Sequence, residues 1–122
     1  MNTSSLTKFF TATTFLLLSQ FAQAETMEVV VFNTKSNITN QQVTNAAKLM
    51  LETLQSWDGF QSRELVLVGD EKWIDIIHWK NLESATMAQE KAMKNKICLA
   101  FFSLIDEKQQ QFYHGEIVLK QH

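Results

Sequence analysis

The sequence predicts an α+β fold in which helices cover one face of a small β-sheet. Three observations lead to this prediction: a β-branched run over residues 27–34, an amphipathic helical pattern over residues 39–57, and two extended runs within residues 60–79 separated by a turn. Strands and helices are therefore interspersed along the chain, with two strands in succession within residues 60–79. A domain built in this way packs its helices on its sheet around one core.

The first predicted strand spans residues 27–34 and is apolar on both of its alternating faces, apart from two polar residues. Such a pattern indicates a central strand that is buried on two sides. A helix follows, because Thr39 has Gln42 three residues later, which is the spacing of a capping box. Apolar residues then recur at helical spacing as far as Trp57.

The second half of the chain predicts a hairpin, a broken helix and a last strand. Residues 60–68 and 73–79 are extended runs joined by a Gly-Asp-Glu turn, which favours an antiparallel hairpin. A helix is predicted to open at Asn81 or Ser84, with small alanines on one face for close packing. The helix is predicted to break at residues 94–96 and to resume over residues 97–105. The final strand is predicted over residues 112–120.

The order strand, helix, strand, strand, helix, strand is that of a ferredoxin-like βαββαβ sandwich. Right-handed crossovers are expected to place the first and third strands side by side and parallel, with both helices on one face of the sheet. On the third strand Trp73, Ile77 and Trp79 point one way and Ile74 and Ile76 the other, and the first strand presents Val29 and Val31 on one face and Val30 and Phe32 on the other. The helices can cover only one of these two faces. An exposed apolar face of this size predicts a homodimer that packs sheet against sheet.

Residues 1–24 are predicted to be a cleavable export signal. They combine a polar start with Lys8, an apolar run and Ala22-Gln23-Ala24, which is a small-residue cleavage site. The apolar run is interrupted by hydroxyls and is shorter than the roughly 20 residues of a membrane span, so no anchor is expected after cleavage. The mature domain, residues 25–122, is expected in the periplasm or the extracellular medium.

Composition narrows the class of partner and the chemistry. Without Lys8 the net charge falls from −2 to −3, which argues against nucleic acid as a partner because nucleic-acid binding relies on clustered cations. Cys98 is the only cysteine, so no intramolecular disulfide can form, and in an apolar helix it predicts an inert buried thiol. The three histidines lie far apart in the sequence, so no metal site is predicted.

Several segments together resemble the antibiotic-biosynthesis-monooxygenase-like domains of the dimeric α+β barrel superfamily. They are residues 32–35, the Trp-Asp-Gly-Phe stretch at 57–60, the hydrophobic strand 72–81 that leads into a helix, and Ala85 with Ala88 on that helix. The resemblance covers nearly all of residues 27–120 and implies a dimeric α+β barrel.

The resemblance implies one fold but several possible activities. The family includes oxygenases that act on aromatic polyketides without a cofactor, haem-degrading monooxygenases and quinol-related enzymes, and a shared fold does not carry a shared reaction. Asn33 resembles a position of the haem-degrading branch. That branch also has a His and a Trp on the second helix, and residues 82–106 contain neither. No cofactor is therefore expected.

Three residues are candidates for catalysis: Asn33, Asp75 and His78. The amide of Asn33 could hold a substrate oxygen, or it could bond local backbone at the strand end. Asp75 alternates with apolar residues and could be a base with a raised pKa, or it could pair with Arg63 on the neighbouring hairpin strand. His78 could shuttle a proton near neutral pH, or it could be an ordinary strand-end residue.

The chain is rich in aromatic side chains, which could stack on a flat ligand or form the core. The candidates for substrate binding are Trp57, Trp73, Trp79, Phe32 and His114. The sequence thus favours an exported, cofactor-independent monooxygenase acting on an aromatic or quinone-like small molecule. The alternatives are a dimeric module that binds a small hydrophobic ligand without catalysis, and a structural partner of another exported protein.

Overall fold

A computed structural model describes residues 24–122. The predicted export signal lies outside the described residues except for Ala24, and it stays a prediction. The strands of the domain are β1 (Thr26–Asn33), β2 (Phe60–Val68), β3 (Lys72–Trp79) and β4 (Gln111–Glu116). The helices are α1 (Asn40–Gln55), α2 (Leu82–Ala92) and α3 (Lys96–Phe102), and a 3-10 turn spans Glu107–Gln109.

The four strands form one sheet in the order β2-β3-β1-β4, and each neighbouring pair is antiparallel. The predicted α+β, ferredoxin-like arrangement is confirmed, but the expected parallel pairing of the first and third strands is wrong. The crossover through α1 makes β1 and β2 run in the same direction, and the hairpin then reverses β3, which lies between them. β3 must therefore be antiparallel to both.

Local side-chain chemistry sets the helix starts as the sequence predicts. The Thr39 Oγ1 atom accepts from the Gln42 backbone N–H at 3.1 Å, and the Thr39 N–H donates to Gln42 Oε1 at 2.8 Å, which completes the capping box. Asn81 Oδ1 accepts from the Ser84 N–H at 2.9 Å and caps α2. Asn95 caps α3 and lies in the predicted break between the two helices.

The C-terminal elements are shorter than the sequence predicts. The helix expected over residues 97–105 ends at Phe102, because the chain turns back to the sheet and Ile105 forms a bridge with Thr34. The strand expected over 112–120 ends at Glu116, since β1, its partner strand within residues 24–122, begins at Thr26. Val118 is 89% exposed beyond that point.

The hydrophobic core lies between the helices and one face of the sheet. Phe32 and Trp73 stack with their ring centroids 6.5 Å apart, and Phe101 meets Phe32 edge-on at 5.8 Å. The core is completed by residues of both long helices and by Trp79, whose ring meets Phe60 edge-on. Aromatic pairs of this kind stabilise a core beyond the area that they bury.

The opposite face of the sheet, called the open face below, carries a second apolar surface. Val31, Ile74 and Val66 lie opposite one another on β1, β3 and β2, and Val29 lies opposite Ile76. None of these side chains belongs to the buried core found in residues 24–122.

In residues 24–122, no helix combines the length and apolarity needed to cross a bilayer.

Candidate functional site

A cavity of about 450 Å³ lies between the helix-facing side of the sheet and the helices above it. Strands β1, β3 and β4 form its floor, and all three helices contribute to its walls. This volume is within the range of small-molecule sites. The apolar part of the wall includes Val30, Leu54, Ile77, Ala88, Phe101 and Phe112.

Three of the four strands bring a titratable residue to one row on the helix-facing side of the sheet, and the fourth brings Ile77. Arg63 on β2 lies opposite Ile77 on β3, Ile77 lies opposite Glu28 on β1, and Glu28 lies opposite His114 on β4. Residues that are directly paired in this way point to the same face of a sheet. The register therefore places one cation, one carboxylate and one imidazole in a row across the site.

Arg63 and Asp75 form a buried ion pair beside this row. Arg63 donates from Nε to Asp75 Oδ1 at 2.9 Å and from Nη2 to Asp75 Oδ2 at 2.6 Å, and both side chains are 4% exposed. A third donor, Nη1, bonds the Ala47 carbonyl oxygen at 2.9 Å, and the guanidinium lies 5.1 Å from the Phe101 ring centroid. Both carboxylate oxygens of Asp75 are thus engaged in a bidentate pair.

Glu28 and His114 form the second polar pair. The His114 Nε2 atom lies 3.0 Å from Glu28 Oε1, and the two side chains are 17% and 12% exposed. Burial raises the pKa of the Glu28 carboxyl group above its ordinary value, and the hydrogen bond from His114 opposes that rise. The Phe112 ring meets the imidazole edge-on with centroids 4.9 Å apart, which restricts its orientation.

The indole of Trp79 is a further polar group of the wall. Its side chain is 1% exposed and lines the cavity. Among residues 24–122, its buried Nε1–H has no hydrogen-bond acceptor, and it is the only fully buried side-chain nitrogen or oxygen atom in this state. A buried donor without an acceptor carries a free-energy cost, so it is a rare feature in native proteins.

The structure separates the three predicted catalytic residues. Asp75 lines the cavity, and the structure pairs it with Arg63, which is the second of the two arrangements expected from the sequence. Asn33 and His78 alternate with buried residues of β1 and β3 and lie on the open face, away from the cavity. Their catalytic roles stay predictions, and the structure does not bring them together with Asp75.

Of the predicted ligand-binding residues, Trp79 lines the cavity directly. His114 contacts Glu28 through its Nε2 atom, and Glu28 lines the cavity. Phe32 and Trp73 stack on each other inside the core. Trp57 is half-buried at the end of α1, where the Lys91 ammonium lies 5.9 Å from its ring centroid.

Glu28 is the site residue that sequence reasoning missed. It is an acidic residue in an otherwise β-branched run, and it shares the helix-facing side of β1 with Val30 and Phe32. That alternation was a usable signal, because a carboxylate on a core-facing position requires a partner. The partner, His114, lies 86 positions away and becomes its neighbour only when β4 pairs with β1.

Two other sequence predictions concern groups outside the cavity. Cys98 is fully buried, and burial raises the pKa of its thiol, which keeps the sulfur protonated at neutral pH. Within residues 24–122, no cluster of three or more His, Cys, Asp or Glu side chains is arranged to hold a metal ion.

The chain is similar to known proteins in its three-dimensional structure. No family model matches the sequence, and no curated protein is significantly similar to it. The cofactor-independent oxygenase SnoaB from Streptomyces nogalater is 15% identical with a TM-score of 0.62, over 81% of this chain and 96% of that one. A proposed antibiotic biosynthesis monooxygenase from Bordetella bronchiseptica is 11% identical with a TM-score of 0.68, over 80% and 100% of the two chains.

A heme-degrading protein from Mycobacterium tuberculosis has the same architecture. It is 11% identical with a TM-score of 0.57, over 81% of this chain and 97% of that one. At such identities the likeness shows the fold alone. The chain therefore has the fold of the antibiotic biosynthesis monooxygenases, and the resemblance noted in the sequence is confirmed at that level.

Proposed function

We propose that the cavity binds a flat aromatic or quinone-like molecule and that the domain oxygenates it with dioxygen, without a bound metal or flavin. The observation that carries this proposal is a partly open cavity of about 450 Å³ whose mostly apolar wall contains a few placed polar groups. Sites of this composition suit ring systems, because apolar walls take the ring faces and the polar groups fix the orientation. The similarity in fold to a cofactor-independent oxygenase supports the same class.

The proposed reaction converts an activated CH₂ group between aromatic rings into a carbonyl group. One atom of dioxygen enters the product, and the other leaves as water with the two hydrogen atoms. The substrate supplies all four electrons that reduce the dioxygen, so the reaction requires no external reductant. The protein's contribution is to hold the ring system away from water and to handle its protons.

An oxygen-uptake experiment tests this proposal. Purified protein is mixed with 1,8-dihydroxyanthrone, and oxygen consumption is followed together with the absorbance of the anthraquinone product. Ala88 lines the cavity and is 4% exposed, so Ala88→Phe should fill the cavity and abolish turnover. Met87 on the same helix is 50% exposed, and Met87→Phe is the matched control that should leave turnover unchanged.

Three outcomes are informative. Turnover that Ala88→Phe removes supports the oxygenase. Binding that Ala88→Phe removes, without oxygen uptake, contradicts it and favours a non-catalytic module for small hydrophobic ligands. Absence of both binding and turnover with this anthrone and with anthraquinone contradicts the ligand class itself.

We also propose that the working unit is a homodimer joined through the open face. The apolar rows of this face, Val31-Ile74-Val66 and Val29-Ile76, support the proposal, because in a single chain they stay outside the core. In such a dimer Asn33 and His78 lie at or near the interface. Sheet-on-sheet packing would bury these residues as the helices bury the other face.

Export is proposed from the sequence alone. The protein is expected to lose residues 1–24 during secretion and to act in the periplasm or outside the cell. Amino-terminal sequencing of the protein recovered from its host checks this directly. The expected first residue is Glu25, and a chain that starts at Met1 would contradict the proposal.

A further inference from the structure

We infer that the domain docks on an anionic lipid bilayer through the connection between α2 and α3, residues 93–97, called the docking loop below. Its sequence is Met-Lys-Asn-Lys-Ile, so two apolar residues flank two cations. The loop lies at the mouth of the cavity, because Met93 lines that cavity and is 61% exposed. The inference goes beyond the proposed function, since it concerns the surface around the mouth and holds whether or not the cavity is catalytic.

The apolar part of this surface consists of side chains that the domain leaves in water. Met93 is 61% exposed and Ile97 is 43% exposed. Phe112 on β4 is 40% exposed and borders the same opening, because it also lines the cavity. Proteins that bind the surface of a bilayer place such side chains at the boundary between the headgroups and the acyl chains.

The charged part consists of Lys94 and Lys96, which are both exposed. Within residues 24–122, neither ammonium group lies within 4 Å of a carboxylate oxygen. Each lysine that comes close to an anionic bilayer strengthens binding about fivefold. Two unpaired cations between two apolar side chains are therefore complementary to anionic headgroups above an acyl layer.

The positive charge is confined to this corner of an acidic domain. Without Lys8 the chain has a net charge of −3. Glu90 precedes Lys94 by four positions and forms no ion pair with it among the described residues. The 3-10 turn on another side of the mouth has Glu107 beside Lys108, so it adds no excess of cations. An anionic bilayer therefore attracts the docking loop and repels the rest of the domain, which fixes the orientation of approach.

The type of cation favours lipid over protein as the partner. Both cations of the docking loop are lysines, and lysine is depleted in protein–protein interfaces whereas arginine is enriched there. The long apolar stem of a lysine can lie along an acyl layer while its ammonium group stays among the headgroups. A bilayer surface thus suits this pattern better than a protein surface does.

The backbone of the docking loop is already hydrogen-bonded within the domain. The Lys94 N–H donates to the Lys91 carbonyl oxygen at 3.1 Å, and the Asn95 N–H donates to the Ala92 carbonyl oxygen at 3.2 Å. The Asn95 Oδ1 atom accepts from the Ile97 N–H at 2.9 Å. Unpaired backbone groups make entry into an apolar layer costly. A loop with these bonds can enter the interface without rearrangement.

Docking in this orientation places the mouth of the cavity against the bilayer. Met93 belongs to both the docking loop and the cavity wall, and Phe112 borders the same mouth. For the flat ring compounds of the proposed function, which dissolve poorly in water, the acyl layer is then the nearest reservoir. Such a compound enters the cavity without crossing the solvent.

Sedimentation with vesicles tests the inference. Purified protein is mixed with vesicles of phosphatidylcholine alone, or of phosphatidylcholine with an equal amount of phosphatidylglycerol, and the bound fraction is measured. The wild type should bind the mixed vesicles at least about tenfold more tightly, as expected for two lysines at an anionic surface. Added salt should reduce this preference, because it screens exposed charges.

Two double variants separate the charged part of the docking loop from the apolar part. Lys94→Gln combined with Lys96→Gln should remove the preference for the mixed vesicles. Met93→Ser combined with Ile97→Ser should weaken binding to both kinds of vesicle by about tenfold or more, because it removes the inserted side chains.

Matched controls lie elsewhere on the helices. Lys48 on α1 is exposed and borders a separate groove beside β2, so Lys48→Gln controls for the loss of a charge. Met87 on α2 is 50% exposed and does not line the cavity, so Met87→Ser controls for the loss of an apolar side chain. Both controls should bind the vesicles as the wild type does.

Fluorescence quenching tests the orientation directly. Met93→Trp adds an indole to the docking loop, and its additional emission should be quenched by vesicles whose acyl chains carry bromine. Met87→Trp adds an indole to the same helix outside the loop, and its additional emission should not be quenched. Equal quenching of the two variants would show that a different surface meets the bilayer and would overturn the inference.

The remaining outcomes separate the inference from the proposed function. If the folded wild type binds neither kind of vesicle, or binds both equally, the inference is wrong. If the protein self-associates and Met93→Ser removes that association but leaves vesicle binding unchanged, the surface serves a second copy and the inference is also wrong. Lys94→Gln with Lys96→Gln should leave anthrone turnover in solution unchanged, and Ala88→Phe should leave vesicle binding unchanged. Circular dichroism verifies that each variant is folded.

Discussion

At the residue scale, residues 24–122 contain one buried ion pair, Arg63–Asp75, and one largely buried polar pair, Glu28–His114. Taking charges out of water is costly, and it is offset only where the geometry is close and the remaining donors are satisfied. Arg63 meets both conditions through Asp75, the Ala47 carbonyl and the Phe101 ring. Because this pair forms one side of the cavity, its geometry also shapes the site.

Removing one partner of this pair should be strongly destabilising. Asp75→Asn leaves a buried guanidinium without its counter-charge, so the free energy of unfolding should fall by roughly 3–5 kcal/mol. Urea denaturation measures this. The exposed pair Lys80–Asp58, with side chains 47% and 85% exposed, provides the control, and Lys80→Ala should cost less than about 1 kcal/mol. Equal costs for the two variants would show that the Arg63–Asp75 pair is hydrated in solution.

The raised pKa of Glu28 predicts how stability depends on pH. The folded state holds the Glu28 proton more tightly than the unfolded state, so the wild type should lose stability as pH rises from about 4.5 through the raised pKa. Glu28→Gln cannot ionise and should lack this loss. The difference in unfolding free energy between the two proteins should change in favour of the variant, by at most about 1.4 kcal/mol per pH unit.

Urea unfolding at several pH values between 4.5 and 8 measures that difference. The variant Glu116→Gln changes an exposed residue of the same type and controls for the loss of one charge. A difference between wild type and Glu28→Gln that does not vary with pH would contradict the buried, proton-binding environment of Glu28.

At the element scale, the turn between α1 and β2 depends on one glycine. Gly59 has a φ angle of +84°, and a Cβ atom there would overlap the side chain of Ser84, the first-turn residue of α2. The Gly59 carbonyl also accepts from the Lys80 N–H at 2.8 Å, just before that helix. The turn therefore joins the end of α1 to the start of α2, and both helices line the cavity.

Gly59→Ala should accordingly lower the free energy of unfolding more than Gly69→Ala does, although both glycines have positive φ angles. Gly69 has a φ angle of +64°, but a Cβ atom there meets nothing within 4 Å. Gly69→Ala should cost about 1–2 kcal/mol for its conformation, and Gly59→Ala should cost a further 1–3 kcal/mol for the overlap. Thermal unfolding of both variants gives the comparison, and equal costs would mean that Ser84 moves aside freely.

At the scale of the whole molecule, the sheet has two apolar faces, and the helices found in residues 24–122 cover one of them. The helix-facing side holds the core and the cavity, and the open face contains Val29, Val31, Ile74 and Ile76. Surfaces of this kind on small domains mark sites of association. The homodimer proposed above would leave each cavity within its own protomer.

A charge on the open face should separate the dimer without unfolding the chain. Val31→Asp would bury an unpaired carboxylate in the interface, whereas the carboxylate stays hydrated in the monomer. Sedimentation equilibrium should show a monomer. Leu49 on α1 is 58% exposed, so Leu49→Asp is the control and should stay dimeric. A Val31→Asp protein that remains dimeric would place the interface elsewhere.

The elements themselves were predictable because their signals are local. The capping box of Thr39 and Gln42 lies within four residues, and the hairpin turn at 69–71 lies between the strands that it joins. The direction of β3 relative to β1 was predicted wrongly. It depends on two successive connections, because the crossover through α1 makes β2 parallel to β1 and the hairpin then makes β3 antiparallel to β2. Asn33 was a candidate because of its resemblance to a family position and His78 because of its residue type, and the structure places both on the face opposite the cavity.

By itself, the sequence determined the fold class, the helix starts and the presence of an apolar sheet with two faces, because residue periodicity and capping act over a few positions. Only the tertiary structure decided the site. Glu28 and His114 are 86 residues apart, and Arg63 and Asp75 pair only in one hairpin register. Contacts across strands depend on which strands become neighbours and on their register, which the packing of the whole domain selects.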